Sequence, residues 1–398
     1  MKKFFILIAL TNLFLCAGFV WANDTAGALL PTGEIRFEKQ PGIVLKHEAL
    51  LLSDTVTVDY LFENTTDSPV ETTVFFPIPT VGPLTAYWQA PHDFKFRVWS
   101  DGQEIIPSLS RKITLHEVDV TRFFDLMGVT DYMQTIQTDP DTYGLDLEKA
   151  AAPLRKLPLT EQKEMEKLGM LSKECLEKNE NGKCTHNSHI YHLVPADYRQ
   201  EVLYYWMQTF PAHQTVHIRH EYKPSFLENS VGEPSQLVQK TTDWDYDKPH
   251  DFWKEASYII TTANNWKKPI GQFDLLIWGG TGAAVSAYAN NRAFHTRVAP
   301  ANYLLEKRQD FVPTQEILFE LASANAREEV ATLPQLYRVD GPANVRATPD
   351  GKKINTLRNG RYVWAYPSDK KDWFVVLLDE KTIGYTYYTN LIPFGGIN

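Results

Sequence analysis

The sequence predicts a mainly β protein, with an antiparallel, sandwich-like body, a helical insertion and a small β-barrel at the C-terminal end. Three observations predict this fold class. Aromatic residues make up 13% of the 398 residues, apolar and polar residues alternate in several stretches, and turn residues separate those stretches at short intervals. The chain is long enough for two or three domains with their own cores.

Residues 1–22 have the layout of a secretory signal peptide. Two lysines precede an apolar run over 4–15, and the segment ends at Ala22, a small residue suited to signal peptidase. Lipidation at Cys16 is the alternative, but Leu15 occupies the position where that processing requires a small side chain. We therefore expect cleavage after Ala22 and an exported protein, periplasmic or extracellular, without a membrane span.

The charge of the chain excludes some classes of partner. Removal of the signal peptide takes away two lysines and no acid, so the net charge changes from −9 to −11. An acidic chain without basic blocks is a poor ligand for nucleic acid or for anionic lipid. We expect no nucleic-acid partner.

The body, predicted over 23–323, begins with strand patterns. Alternation over 56–62, the turn cluster NTTDSP and the stretch VETTVFFPIP together predict a β-hairpin. A second hairpin is predicted where DFKFRVWS meets QEIIPSLS through Asp101-Gly102. Strands at this spacing indicate a sandwich.

A helical insertion is predicted at about 115–185. It contains the helix-forming runs DLEKAAAPLRKL and LTEQKEMEKLGML, with a plausible helix start at Thr160 and an end near Gly169. The strand pattern resumes at Ile190. A linker is predicted over 324–333 and a separate tail over 334–398.

The tail resembles a bacterial SH3-like domain. The shared marks are Asn344-Val345-Arg346, the turns Pro349-Asp350-Gly351 and Gly360, Asp372-Trp373 before an apolar strand, and Gly384-Tyr385 near the end. The resemblance implies a small closed β-barrel that engages cell-wall peptides or a neighbouring domain. We expect the barrel to be filled by Val345, Leu357, Val363, Val375 and Leu391.

Four aromatic residues are the candidate contacts on this barrel, because such rings supply contact area at low entropic cost. They are Trp364, Trp373, Tyr385 and Tyr387. Each could equally be a core residue. The family commonly has tryptophan where Tyr385 stands, so its ligand preference does not transfer to this chain.

The body resembles the bacterial domain of unknown function 4424 family of exported proteins. The resemblance is carried by NDTAGALLPTGEIRF, DTVTVDYLFENTTDSPVETTVFFPIP, YYWMQTFPAHQTVHIRHEYKP and YIITTANNWKKPIGQFDLLI. It implies architecture and an exported location, and no activity.

The stretch CTHNSHIYH, from Cys184 to His192, contains residue types that bind zinc or copper. Cys184 and Cys175 are an even pair in an exported chain, however, and a disulfide between them would stabilise the fold by roughly 2–3 kcal/mol. A bonded sulfur is no thiolate ligand. His186, His189 and His192 do not converge from a helix or a strand, so they remain weak metal candidates.

Other candidate sites have a plainer structural interpretation. His220 lies on the apolar side of the strand HQTVHIRHEY, where a buried core histidine is the common case and a functional role is the alternative. DWDYD (243–247) begins like a calcium loop but lacks the glycine and glutamate that should follow. Gly279, Gly280 and Gly282 lack the rest of a phosphate-binding motif.

These patterns together predict a non-catalytic binding or scaffold protein of the periplasm or cell envelope, with no cofactor. Its expected partner is peptidoglycan peptide or another envelope protein. A cell-wall hydrolase that uses the barrel as a targeting module is the second hypothesis, although no catalytic motif is evident. A metal-handling protein that uses the insertion histidines is the third.

Overall fold

The structure is a computed structural model, and it describes the residues 24–29, 35–79, 94–128, 137–139, 144–145, 152–175, 180, 189–193, 198–230, 252–279, 284–288, 297–299, 303–323, 332–379 and 382–396. The predicted signal peptide, Cys184, His186, the DWDYD stretch and most of the predicted linker lie outside the described residues. Within those ranges, none of the helices has the length and apolar character needed to cross a membrane.

The body starts with strands that alternate between two sheets. Their bounds are Thr25–Leu29 (β1), Ile35–Phe37 (β2), Ile43–Leu52 (β3), Val56–Asn64 (β4), Val70–Ile78 (β5), Arg97–Ser100 (β6), Gln103–Ile105 (β7), Ser108–Leu115 (β8) and Val118–Asp119 (β9).

The insertion contains helices and short strands. They are Thr121–Met127 (α1), Gln137–Asp139 (β10), Gly144–Leu145 (β11), Leu159–Lys167 (α2), Leu171–Cys175 (β12) and His189–Leu193 (β13).

The body then continues to its third sheet. The elements are Tyr198–Phe210 (β14), Thr215–Tyr222 (β15), Leu227–Ser230 (β16), Phe252–Tyr258 (β17), the 3₁₀ helix Thr261–Asn265, Ile270–Trp278 (β18), Ala284–Tyr288 (β19), Arg297–Ala299 (β20), Tyr303–Phe311 (β21) and Ile317–Ser323 (β22).

The tail consists of short strands and two 3₁₀ turns. They are Gln335–Val339 (β23), Ala343–Arg346 (β24), Lys353–Leu357 (β25), Tyr362–Pro367 (β26), Trp373–Leu377 (β27), Ile383–Tyr387 (β28), Tyr388–Asn390, Leu391–Pro393 (β29) and Phe394–Gly396.

The protein is mainly β, as predicted, and its body is arranged like a sandwich. One sheet has the order β2-β1-β5-β14-β8-β9, and the facing sheet has the order β21-β18-β3-β4-β15-β6-β7. The sheet β16-β17-β22-β19-β20 adds to the same core. Strands β18 and β3 pair in parallel, so the body is not purely antiparallel as expected.

The first predicted hairpin is wrong. Strand β4 pairs with β3 and β15, whereas β5 pairs with β1 and β14 in the opposite sheet. The turn cluster NTTDSP therefore carries the chain across the sandwich. Asn64 fixes this crossing, because its amide Nδ2 donates to the carbonyls of Ser68 at 2.9 Å and Phe210 at 2.8 Å.

The second predicted hairpin is present. Strands β6 and β7 pair with Ser100 opposite Gln103. Asp101 and Gly102 between them have φ values of 47° and 79°, as a tight type I′ turn requires.

The insertion has a small core of its own. It leaves the body at the end of β8 and returns at the start of β14, two strands that pair with Leu115 opposite Tyr198. Phe123 and Phe124 of α1 and Met165 of α2 are buried in this core. The predicted helix is present as α2, but short strand pairs make the insertion more mixed than expected.

The tail strands form one sheet in the order β25-β24-β28-β27-β26-β23-β29. Four of the residues expected to fill its core are buried together, namely Val345, Leu357, Val363 and Leu391. The expectation for Val375 is wrong: it is buried, but the alternation of β27 places it on the opposite face, with Leu377. Closure into an SH3-like barrel stays a prediction.

Candidate binding surfaces

The outer face of the tail sheet carries a row of aromatic residues. Register pairs Trp373 with Tyr387 and Val375 with Tyr385 across β27 and β28, and pairs Tyr366 with Val375 across β26 and β27. Paired residues share a face. One part of this face is open to solvent and the other part is covered by the body.

The open part is an aromatic ledge formed by Trp373, Tyr387 and Tyr388. The rings of Trp373 and Tyr387 meet edge to face with centroids 5.7 Å apart, and Tyr387 and Tyr388 lie 5.6 Å apart. Tyr387 is 40% exposed and Tyr388 is 47% exposed, whereas Trp373 is mostly buried beneath them. Tyr385, on the same strand, is half-buried.

Asp372 positions the ledge. This residue has φ 66° at the turn into β27, and its carbonyl accepts a hydrogen bond of 3.0 Å from the Tyr388 amide. The Tyr387 hydroxyl donates to Asp372 Oδ2 at 3.4 Å. The negative charge of Asp372 raises the pKa of Tyr387, so the phenol stays neutral and keeps its proton.

Gly384 allows β28 to lie close to the core. A Cβ atom at this position would come within 2.2 Å of Val345 Cγ1, far inside a real contact. Glycine is therefore required where the strand that carries Tyr385 and Tyr387 crosses β24.

The covered part of the tail face packs against the body. Its buried apolar residues, Leu336, Trp364, Leu377 and Phe394, form one cluster with Ala49, Leu51, Leu276, Trp278 and Tyr303 of the body. Trp364 is only 3% exposed. This predicted contact residue is therefore not accessible to a partner in this arrangement, and its binding role stays a prediction.

Hydrogen bonds between side chains of the body and backbone carbonyls of the tail accompany this apolar contact. Tyr303 Oη donates to Asp379 O at 2.7 Å, and Lys307 Nζ donates to Tyr362 O at 2.8 Å. Trp278 Nε1 donates to Thr332 O, in the predicted linker just before the tail, at 3.1 Å. The tail is thus held at several points along one face of the body.

Two histidine–aspartate pairs lie on the body under the tail. His47 Nε2 is 2.7 Å from Asp274 Oδ2, and His217 Nε2 is 2.8 Å from Asp59 Oδ1. The ring of Phe394 packs edge-on between them, with centroids 4.6 Å from His47 and 5.7 Å from His217. Each imidazole is oriented by its own aspartate, and together the two imidazoles form the surface on which the Phe394 ring packs.

Asp274 stays ionised despite its burial. Burial by itself would raise the pKa of Asp274, but the hydrogen bond with His47 and the charge of Lys307, 3.0 Å away, together lower it below the ordinary value. Its carboxylate also accepts from Gln272 Nε2 at 2.5 Å. Asp274 is thus the centre of the polar network at the domain contact.

A second polar cluster is sealed inside the sandwich. His220 Nε2 lies 3.3 Å from Asp24 Oδ1, and both side chains are fully buried. Four aromatic rings surround His220, namely Tyr60, Phe76, Phe96 and Trp206. Tyr60 Oη is 2.9 Å from Tyr258 Oη, which donates to Glu48 Oε1 at 3.3 Å.

Burial keeps the His220 pair neutral. It lowers the pKa of His220 well below its ordinary value and, with the nearby charge of Glu48, raises the pKa of Asp24 well above its own. A neutral pair enclosed by rings has no route for exchange with a substrate. The geometry therefore favours the structural interpretation of His220, as a core residue that ties β15 to the start of β1.

The predicted insertion site is only partly visible. Strand β13 contains His189 and His192, opposite Cys175 and Ser172 of β12. The predicted disulfide and the ligand role of His186 lie outside the described residues. Within the described ranges no three His, Cys, Asp or Glu side chains are grouped to hold a metal.

The sequence did not single out Phe394, Tyr388 or the two histidine–aspartate pairs. Asp59 and His217 occupy outward positions of strands that otherwise contribute to the core, and such positions normally face water. Their burial follows from a tail that is distant in sequence. No local pattern could have indicated it.

Comparison with known proteins identifies a family. The family model described as "Domain of unknown function (DUF4424)" matches residues 22–251 and 235–318. No curated protein matches the chain. A solved structure from Legionella pneumophila, provisionally described as a nutrient binding protein, is 12% identical and has a TM-score of 0.35 over 76% of this chain and 70% of its own. That score is too low to support any statement on fold or function.

Proposed function

Because the chain belongs to the DUF4424 family, a domain of unknown function, we propose its role from the geometry of its surfaces. The protein is a non-catalytic binding or scaffold protein, exported to the periplasm or cell envelope. Its SH3-like tail presents the ledge of Trp373, Tyr387 and Tyr388 to cell-wall peptide or to another envelope protein.

The exposure of the ledge is the observation that carries this proposal. Two adjacent tyrosines at 40% and 47% exposure, backed by a tryptophan, supply rigid contact area with polar tips. Tyrosine and tryptophan are the side chains most often found at the energetic centre of interfaces. The body buries Trp364 and packs against Tyr362 and Tyr366 on the same face, so among the described residues the ledge is the most exposed aromatic surface by which a partner can reach the tail.

The placement of ionisable groups supports binding over hydrolysis. A hydrolase needs carboxylates or imidazoles that converge on a site that substrate can enter. In the described ranges, the His47 and His217 pairs are covered by the tail, and Asp24 and His220 are enclosed by the core. None of these observations favours the hydrolase or metal-handling hypotheses.

Co-sedimentation of the full-length protein with insoluble peptidoglycan tests the cell-wall form of the proposal. Tyr387→Ala should weaken binding roughly 5- to 30-fold, the effect of losing about 1–2 kcal/mol at an interface centre. Met207→Ala, which shortens an exposed side chain of the body, is the matched control and should bind as the wild type does. Equal binding by both variants would remove the ledge from the proposal.

Export is tested separately. Intact-mass analysis of protein purified after expression in a bacterial host should find a chain that begins at Asn23, with Cys175 and Cys184 resistant to alkylation until a reductant is added. A product that retains Met1, or free thiols in the untreated protein, would contradict export and the disulfide. The ledge could still bind a partner in that case.

A further inference from the structure

One row of aromatic residues in the tail packs against the body. The contacts that hold it there are ones that could break and form again. Tyr362, Trp364 and Tyr366 alternate along β26 and so lie on one face, and we call them the covered row. Trp278 of the body packs against Tyr366 with centroids 5.4 Å apart, and His47 packs against Tyr362 at 4.6 Å. The covered row continues into the ledge, which is exposed.

The turn at Phe394 and Gly395 packs between the covered row and the body. Phe394 is buried between His47, His217 and Tyr362. Gly395 follows with φ 79°, and a Cβ atom there would lie 2.5 Å from His217 Nδ1. The backbone at this turn therefore lies directly on an imidazole that Asp59 already holds.

Separation of the tail would leave Asp274 and Asp59, the two buried carboxylates described at this contact, with their partners. Asp274 pairs with His47 and Lys307, and Asp59 pairs with His217 and Arg219, all of them residues of the body. These pairs would remain intact if the tail moved away. The hydrogen bonds that cross the contact from Tyr303 and Lys307, and the bond from Trp278 to the linker, end on backbone carbonyls, which water can satisfy instead.

Trp364 has an unsatisfied donor in the covered state. Its Nε1 is buried and, among the described residues, has no hydrogen-bond acceptor. A buried donor without an acceptor is unfavourable by about 1–3 kcal/mol, and exposure to water removes that cost. Burial of apolar rings favours the covered state, whereas this indole favours release.

We propose that Phe394 and Gly395 form a latch that holds the tail on the body and keeps Trp364, the buried centre of the covered row, out of reach of partners. This goes beyond the proposed function, because it concerns a second part of the tail face that becomes available only when the latch opens. The open state is a rigid-body displacement of a folded tail. In the closed state Trp364 is buried, Tyr362 and Tyr366 are half-buried, and the ledge holds the most exposed rings of the described aromatic face.

Hydroxyl-radical footprinting of the full-length protein, read residue by residue by mass spectrometry, tests the latch. Phe394→Ala removes the packed ring, and Gly395→Ala opposes the seating of the turn by contact with His217. Both variants should raise the modification rate of Trp364 at least fivefold, while that of Trp373 changes less than twofold. Ile354→Ala, an exposed tail residue remote from the contact, should leave Trp364 protected.

Two outcomes would overturn the latch. Trp364 that stays protected in both Phe394→Ala and Gly395→Ala would show that the turn does not hold the tail in place. A rise at Trp364 together with an equal rise at the core residues Val345 and Leu357 would mean that the tail unfolds and has no folded open state. The peptidoglycan-binding experiment on Tyr387 is independent of both outcomes.

Discussion

Phe394, near the C-terminal end, packs edge-on against His47 of β3, with ring centroids 4.6 Å apart. His47 can receive this ring because Asp274, 2.7 Å from its Nε2, fixes the orientation of the imidazole. One carboxylate inside the body therefore determines how the tail is seated.

Asp274→Ala should destabilise the protein by about 2–3 kcal/mol, because His47 and Lys307 lose a charge-assisted hydrogen bond in a buried setting. Urea unfolding at pH 7 measures the change. Asp340→Ala, which removes an exposed carboxylate from the tail, is the control and should stay within about 0.5 kcal/mol of the wild type.

The same residue gives a pH dependence with a definite sign. The pKa of Asp274 is lower in the folded chain than its ordinary value of 3.8. The stability that ionised Asp274 gives to the fold is therefore fully present above its ordinary pKa. That contribution is lost as the pH falls through the lowered pKa of the folded state. Between about pH 5 and pH 2 the wild type should lose more stability than Asp274→Asn. Parallel losses in the two proteins would contradict the assignment.

Asp24 should show the opposite dependence. Burial and the nearby Glu48 raise the pKa of Asp24 well above 3.8, so its stabilisation is complete at low pH and is lost as the pH rises through the folded value. Asp24→Asn keeps the size of the side chain without the titration. This variant should gain on the wild type in thermal stability as the pH rises from 6 to 9, whereas Asp24→Ala should be destabilised by about 2–3 kcal/mol at pH 6.

Asn64 is expected to be the critical residue of the crossing between the two sheets. Asn64→Ala leaves the carbonyls of Ser68 and Phe210 without their donor, and a loss of about 1–3 kcal/mol is expected from one buried and one partly buried hydrogen bond. Chemical denaturation compared with Thr65→Ala, a neighbour whose hydroxyl donates to Gly42 O and accepts from Lys267 Nζ, separates the crossing from general loop effects. An effect no larger than that of Thr65→Ala would be evidence against this role.

The crossing also shows where sequence reasoning reached its limit. Alternation over 56–62 correctly indicated a strand that contributes Val58 and Tyr60 to the core, and Asp101-Gly102 correctly indicated a hairpin, because both signals are local. Whether two successive strands pair or face each other is decided by contacts distant in sequence. The same two strand patterns and turn satisfy either arrangement.

The candidate sites divide in the same way. Trp373 and Tyr387 were selected from residue type and position in a resembling domain, and Tyr387 is exposed in the structure. Trp364 was selected on the same grounds but is buried, because the body covers β26. Local sequence carries the alternation that puts all three on one face, and only the packing of the tail on the body decides which of them water reaches.

A pair of glutamates on the third sheet gives the last prediction. Glu255 of β17 is directly opposite Glu320 of β22. Burial raises the pKa of Glu255, and the charge of Glu320 and a hydrogen bond between the two carboxyl groups raise it further.

The stabilisation that Glu255 gives is therefore complete below its ordinary pKa and is lost as the pH rises through the raised folded value. Glu255→Gln keeps a donor for Glu320 and carries no charge, so it should be more stable than the wild type at pH 8 and nearly equal to it at pH 4. Thermal melts at the two pH values measure this difference, with Glu38→Gln, an exposed residue, as the control. A Glu255→Gln variant that is less stable than the wild type at pH 8 would mean that the two carboxyl groups do not share a proton.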